Sequence, residues 1–205
     1  MTTATYDFDT QTSVKALDVN VPQRAGRTLW APAFAMSLVG FAAGMILAIV
    51  KASAVADGDA VLAASLNNYG IAAMFFGFTM VFTGISFAIA RILGEFRVGG
   101  GRTQEAAGSE VKTLTMPVTA RAFIGLMAMA MMILMAAVVA HVVVGAQVNA
   151  ETLSLVDAER WDIWLEAARR FAVSLYLFSI TLGLATIIYV IRFQSIRIRE
   201  IADAT

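Results

Sequence analysis

The residues best suited to chemistry in this chain are one histidine and a group of methionines in apolar surroundings. His141 is the only histidine, and the apolar stretch that contains it holds five methionines, the last of which is Met135. Imidazole nitrogen and thioether sulfur are ligands for Cu(I), and they also serve as axial ligands of haem iron. Met45 and Met74 are expected at a similar membrane depth, so these four residues are candidate ligands for copper or haem.

Simpler roles account for the same side chains. Methionine is flexible and apolar, so it fills irregular gaps between helices. A histidine near the end of a membrane span can hydrogen-bond to backbone, water or lipid headgroups. The sequence therefore predicts no resident cofactor and keeps copper and haem as alternatives.

Other sequence motifs for catalysis are absent from the sequence or match poorly. The chain has no Cys, which excludes disulfides, thiolate zinc sites, iron–sulfur clusters and thiol nucleophiles. The run of Gly99, Gly100 and Gly101 matches neither the Rossmann nor the P-loop pattern, and it predicts a hinge or flexible turn. With no Ser/His/Asp arrangement and no paired buried carboxylates in view, the chain is expected to be no enzyme, or at most an accessory subunit of an enzyme complex.

Four apolar stretches identify the class of protein, and the helices that they predict hold these candidate residues. Their interiors contain no Asp, Glu, Lys or Arg, and they cover residues 32–50, 70–90, 122–144 and 171–191. A helix rises about 1.5 Å per residue, so roughly 20 residues cross the roughly 30 Å hydrocarbon layer. The chain is also 59% hydrophobic and only 15% charged, against about 25% charged in soluble domains. We predict an all-α protein, a four-helix transmembrane bundle.

The bundle is expected to occupy residues 30–205, after a polar and loosely ordered tail over residues 1–29. The predicted spans are residues 30–51, 69–91, 119–146 and 170–192, with a loop over residues 92–118 and an amphipathic helix over residues 154–169. The formal net charge is zero and there is no long basic run, so nucleic acid is not expected as a partner.

Positive charge predicts the orientation. Of the 15 Lys and Arg, eleven lie in the tail, between the second and third apolar stretches, or after the fourth. Short segments rich in Lys and Arg stay on the cytoplasmic side of a membrane. Both termini are therefore predicted to be cytoplasmic, in a bacterial plasma membrane.

The predicted amphipathic helix lies in the loop on the other side. Apolar side chains recur there at helical spacing, at Trp161, Trp164, Leu165 and Ala168. Tryptophan and arginine favour the headgroup layer, which predicts a helix lying on the outer membrane surface. A docking face for an extracytoplasmic partner is the alternative. The predicted interface anchors of the whole chain are Trp30, Trp161, Trp164, Arg169, Arg170 and Arg192.

Small and hydroxyl-bearing residues within the spans predict close helix packing. A GxxxG pair and a second glycine pair seven residues apart let neighbouring backbones approach, and a hydroxyl stripe can hydrogen-bond across helices or to its own carbonyls. The same stripe could instead line a path for a small neutral solute. The residues are Gly40, Gly44, Gly77 and Gly84, with Thr79, Thr83 and Ser86 as the stripe.

An internal repeat suggests two related hairpins. The pattern basic-Thr-Leu-x-x-Pro ends at Pro32 and again at Pro117, an offset of 85 that also aligns Gly40 with Gly125. Duplication would produce this match. Shared chemistry at the start of two spans would produce it too, because proline suits the first turn of a helix. The sequence leaves both explanations open.

The function predicted from these features is that of a non-catalytic integral membrane subunit or scaffold of a larger membrane protein complex. Its expected partners are the lipid bilayer and either other membrane subunits or further copies of itself. The first alternative is a redox or copper- or haem-handling membrane protein that uses His141 and methionine side chains. The second is a facilitative carrier or channel for a small neutral solute.

Overall fold

Four long helices make up most of the computed structural model, which describes residues 8–12 and 17–204. They are α1 (Val21–Ala56), α2 (Ala60–Ala106), α3 (Val118–Asn149) and α4 (Leu155–Ala204). Two short strands, β1 (Thr10–Thr12) and β2 (Lys112–Leu114), pair antiparallel. All four helices are long and apolar enough to cross a membrane, which confirms the predicted class of fold.

The start of α1 differs from the predicted tail. Asn20 and Gln23 form a capping box with two hydrogen bonds of 3.1 Å, and Pro22 occupies the first turn. These groups satisfy the free amides of a helix end, so the helix begins before the apolar stretch. Residues 10–12 of the tail are also ordered, since they form β1. Residues 1–7 and 13–16 of the predicted tail lie outside the described residues.

The predicted glycine hinge is wrong. Gly99, Gly100 and Gly101 lie inside α2, which continues to Ala106. A Cβ on Gly100 would collide with the side chains of Gln194 and Arg197 on α4. The absence of a side chain therefore lets α4 pack against α2, and this contact supports the helix where glycine alone would weaken it.

Helices α2 and α4 extend well beyond a bilayer. They contain 47 and 50 residues, which at 1.5 Å per residue makes them about 70 and 75 Å long. The predicted amphipathic segment is helical, but it is the first part of α4 and not a separate helix. The Ser154 hydroxyl accepts from the Asp157 amide at 3.1 Å, which satisfies one of the free amides where α4 begins.

The helices pack as two hairpins that meet through α2. Helix α1 packs against α2, α3 packs against α4, and α2 also contacts α3 and α4. A core of fully buried side chains lies between α3 and α4, formed by Ala130, Leu134, Ala172 and Tyr176. We call the end with connections 57–59 and 150–154 the loop end, and the end with β1 and β2 the strand end.

The residues of the internal repeat have different positions in the two hairpins. Pro32 lies within α1, whereas Pro117 is the N-cap of α3. Gly40 lies against Gly77, whereas Gly125 has no atom within 4 Å of where its Cβ would be. The two hairpins exist, but the matched residues do not play equivalent parts in them.

Candidate functional site: a buried polar cluster at the loop end

His141 lies at the centre of a polar cluster that joins three helices. Its side chain is fully buried on α3, where Nδ1 is 2.8 Å from Oδ1 of Asn68 on α2. Its Nε2 is 2.6 Å from Nη1 of Arg169 on α4. We call Asn68, His141, Asp162 and Arg169 the loop-end cluster.

The donors and acceptors of this cluster determine the tautomer of His141. A guanidinium only donates hydrogen bonds, so Nε2 of His141 must accept the bond from Arg169. The ring proton then lies on Nδ1 and is donated to Asn68. His141 is therefore a neutral imidazole whose two nitrogens both have protein partners.

Arg169 brings a positive charge into this buried site. Only 7% of the residue is exposed, and its guanidinium lies 4.6 Å from the centre of the Phe75 ring. A cation over an aromatic face is stabilised by the ring quadrupole. Asp162 adds a Coulombic attraction from the same helix, although it makes no ion pair with Arg169. One carboxylate oxygen of Asp162 lies 3.5 Å from Nδ1 of His141 without a hydrogen bond.

Neighbouring polar contacts continue the cluster across the loop end. The Ser65 hydroxyl on α2 donates to the carbonyl of Gly145 on α3 at 2.9 Å. Lys51 on α1 donates to the side chain of Asn67 on α2 at 2.8 Å. Buried hydrogen bonds of this kind hold helices in register, because an unmade bond leaves a desolvated polar group. The arrangement thus ties together all four helices at this end.

The four candidate metal or haem ligands lie on three helices. Met45 lies on α1 with 63% of its surface exposed, and Met74 packs beside Gly44 on α2. Met135 precedes His141 by six residues on α3, so the two side chains point to different sides of that helix. A metal ion or haem at His141 would have to displace either Asn68 or Arg169. Among the described residues, no group of three His, Cys, Asp or Glu could hold a metal ion.

The glycines selected from the sequence lie where α1 meets α2. A Cβ on Gly40 would be 2.7 Å from the Gly77 nitrogen, and one on Gly44 would be 2.6 Å from the Met74 side chain. Gly84 lies against the ring of Phe34 in the same interface. The GxxxG pair is thus used inside the chain, where it lets two backbones touch.

The hydroxyl stripe of α2 is buried and faces the bundle. Thr79 donates to its own helix at the Phe75 carbonyl over 2.7 Å. Thr83 is 3.5 Å from the hydroxyl of Tyr176, which stacks on Phe82 at 4.9 Å. The Ser86 hydroxyl is buried without a hydrogen-bond partner. These contacts are those of a packed interface between helices.

Among the predicted interface anchors, Arg169 turns into the bundle and is not at the surface. Arg170, one residue later, is exposed and pairs with Glu166. Trp30 is half-buried, and the Arg91 guanidinium lies 5.8 Å from the centre of the Trp30 ring. Arg192 on α4 is exposed. Trp161 and Trp164 are exposed, whereas Leu165 of the same predicted face is buried.

A heptad on α4 would have revealed the burial of Arg169. The buried positions are Ala158, Leu165, Arg169, Ala172 and Tyr176, and the half-buried Asp162 lies on the same side. This spacing runs through the polar segment into the apolar stretch without a break, as expected for a single continuous helix. The predicted apolar face shares Leu165 with this buried side, but the prediction of Arg169 as a membrane-interface anchor misses its burial.

Comparison with protein-family models, curated proteins and solved structures found no match to this chain. The geometry thus defines a membrane protein of four helices with a buried polar cluster at its loop end. Its function has to be argued from the residues alone.

Proposed function

We propose that this protein is a non-catalytic integral subunit of a larger membrane protein complex. One observation carries the proposal: the first part of α4 presents an exposed aromatic and aliphatic surface outside the apolar stretch. Trp164, Ile163 and Val156 are 71%, 66% and 69% exposed, and Trp161 lies beside them at 51%. We call these four residues the α4 outer face.

Helix geometry separates this face from the hydrocarbon layer. Residues 171–191 of α4 alone span about 30 Å, which equals the thickness of that layer. Trp164 and Trp161 precede Phe171 by seven and ten residues, so they lie about 10 and 15 Å beyond its end along the helix axis. Exposed apolar patches outside a membrane mark interaction sites, and tryptophan is enriched at the centres of protein interfaces.

The polar groups of the bundle support a structural role. Both ring nitrogens of His141 are occupied, and Thr79 bonds to its own helix. Ser179 on α4 donates to the Phe123 carbonyl on α3 at 2.9 Å. A carrier or an enzyme needs polar groups that are free to meet a substrate, whereas these three side chains already form hydrogen bonds within the protein.

We also propose that the strand end faces the cytoplasm of a bacterial plasma membrane. The proposal follows from the excess of Lys and Arg around that end. Since the chain has no Cys, single cysteines can be introduced and labelled cleanly. An impermeant thiol reagent added to intact cells should label Asp57→Cys at the loop end and leave Ser109→Cys at the strand end unlabelled. The reverse pattern would overturn the orientation.

The subunit proposal is tested by purifying the full chain from its native membrane in mild detergent. Native mass spectrometry should find a stoichiometric partner, which can be another protein or a second copy of the chain. The double variant Trp161→Ala/Trp164→Ala should lose that partner. The control is Phe171→Ala/Phe178→Ala, which removes two aromatic residues of the same helix, each 57% exposed, within the apolar stretch.

The outcomes distinguish whether the chain has a partner from whether the α4 outer face is the surface that binds it. A wild-type chain that purifies alone would contradict the subunit proposal. A partner that survives in the tryptophan variant would show that the α4 outer face is not the contact. Loss of the partner in the phenylalanine control alone would place the contact inside the membrane.

A further inference from the structure

The strand end contains a cavity that the subunit proposal does not use. Its volume is about 210 Å³, and its walls come from the segment before α1, the residues around β2, and all four helices. For scale, a dry apolar cavity of about 150 Å³ accommodates benzene. The space is therefore large enough for a short alkyl segment.

Most of the wall is apolar. Leu93 lines it from α2, Phe123 and Ile124 from α3, and Val190 and Phe193 from α4. Phe123 and Phe193 are almost completely buried. Phe123 and Ile124 belong to the third apolar stretch, so the cavity reaches from the strand end into the part of the bundle that lipid surrounds. A wall of this kind favours an alkyl chain over a polar solute.

Two arginines make the other part of the wall positive. Arg197 on α4 is only 2% exposed, and its guanidinium lies 4.8 Å from the Phe193 ring centre. Its Nη1 donates to Gln194 at 3.4 Å, Nη2 donates to the Lys112 carbonyl, and its buried Nε has no hydrogen-bond partner. A guanidinium has five N–H donors, so some of the N–H groups of Arg197 have no acceptor within the protein.

Arg97 on α2 is half-buried and shares one feature with Arg197, an unpartnered Nε. Its Nη2 donates to Gln23 at 2.8 Å and to the Asp18 carbonyl, while its buried Nε is again unpartnered. Asp18 and Glu200 attract the two arginines from a distance. Among the described residues, however, no carboxylate forms an ion pair with either arginine.

A glycine keeps Arg197 in this position. A Cβ on Gly100 would collide with Nη1 of Arg197 and with the Gln194 amide. Burying a charge without a counter-ion is costly, and the usual compensation is an anion. The helix packing thus holds a cation against an apolar cavity without a carboxylate in ion-pair contact with it.

We propose that this cavity binds an anionic single-chain amphiphile of the fatty-acid class. The carboxylate would accept hydrogen bonds from the guanidinium groups of Arg197 and Arg97, which line the cavity, and the alkyl chain would lie along Leu93, Phe123 and Val190. Charge-assisted bonds from arginine to a carboxylate are among the stronger hydrogen bonds in proteins. The site is independent of any partner on the α4 outer face.

The test measures binding of radiolabelled decanoate to the full chain in phosphatidylcholine nanodiscs, with empty nanodiscs as the blank. Binding should saturate at one molecule per chain. Decanol, which has the same chain without the charge, should bind at least about tenfold more weakly, since a hydrogen bond to a charged group is lost. Acetate and inorganic phosphate, which lack the alkyl chain, should not compete.

Two variants with matched controls locate the site. Arg197→Gln should weaken decanoate binding at least about tenfold, whereas Arg199→Gln on the exposed side of the same helix should leave it unchanged. Ala120→Leu fills the cavity and should abolish binding, whereas Ala128→Leu on the exposed side of α3 should not. Circular dichroism and thermal unfolding establish that each variant is folded.

Several results would overturn the proposal. They are the absence of saturable decanoate binding, equal binding of decanol, or unchanged binding in folded Arg197→Gln or Ala120→Leu protein. Competition by inorganic phosphate would reveal a site for an adventitious ion only. Loss of decanoate binding in nanodiscs that contain phosphatidylglycerol would assign the cavity to a two-chain lipid.

Discussion

Arg169 donates a hydrogen bond of 2.6 Å to Nε2 of His141, so a positive charge and the only imidazole of the chain meet inside the helix bundle. The contact joins α3 to α4, and Asn68 extends it to α2 on the other side of the ring. Because a guanidinium only donates hydrogen bonds, this contact determines which ring nitrogen of His141 carries the proton.

The first prediction concerns this tautomer. In the NMR spectrum of protein with ¹⁵N-labelled histidine, Nδ1 should be protonated and Nε2 unprotonated. Because the chain has a single histidine, the assignment is unambiguous. Removing the donor with Arg169→Met should weaken the preference for this tautomer. A protonated Nε2 in the wild-type protein would contradict the hydrogen bond from Arg169.

The second prediction concerns stability. Arg169→Met leaves the Nε2 acceptor unpaired in a buried site, so we expect the free energy of unfolding to fall by about 1–3 kcal/mol. The matched control is Arg170→Met. Arg170 is exposed and pairs only with Glu166 one turn away, and such surface pairs contribute about 0.5 kcal/mol or less. Unfolding in detergent, followed by circular dichroism, compares the two, and equal losses would refute a special role for Arg169.

The third prediction tests the contact between α1 and α2. Gly40→Ala places a Cβ 2.7 Å from the Gly77 backbone nitrogen, where neither backbone can yield without separating the helices. Overpacking of this kind costs about 1–3 kcal/mol. Gly125→Ala is the control, because no atom lies within 4 Å of the added methyl, and the helix should gain about 0.5–1 kcal/mol. The same detergent-unfolding assay should show shifts of opposite sign.

The fourth prediction uses two adjacent glycines at the strand end. Gly100→Ala should lower the unfolding temperature, because the new methyl would displace Gln194 and Arg197 from their packing against α2. Gly99→Ala meets nothing within 4 Å and should raise it through better helix propensity. If both substitutions stabilise the protein equally, α4 does not pack on Gly100 as described here.

Much of the architecture was predictable because its cause is local. Each apolar stretch is long enough to cross a bilayer and free of charge, so lipid alone decides that it becomes a spanning helix. The helix ends were harder to predict. The early start of α1 depends on the Asn20–Gln23 capping box, and the continuation of α2 through three glycines depends on side chains from α4.

The candidate sites depended on contacts that periodicity in one helix cannot specify. Residue type alone predicts Arg169 at the membrane surface, because arginine usually lies there, yet it is buried against His141 and Phe75. Likewise, Arg197 is one of the positive charges after the fourth apolar stretch, and it is nearly fully buried beside the strand-end cavity.

By itself, the sequence determined the membrane class and the number of spanning segments, and it identified His141 as a candidate for chemistry, because hydropathy and residue type act over single segments. Only the tertiary structure decided that His141 is paired, that the hydroxyl stripe is packed, and that Arg97 and Arg197 line one cavity. These outcomes require side chains far apart in the chain to converge, and helix rotation and register are set by the packing of all the helices together.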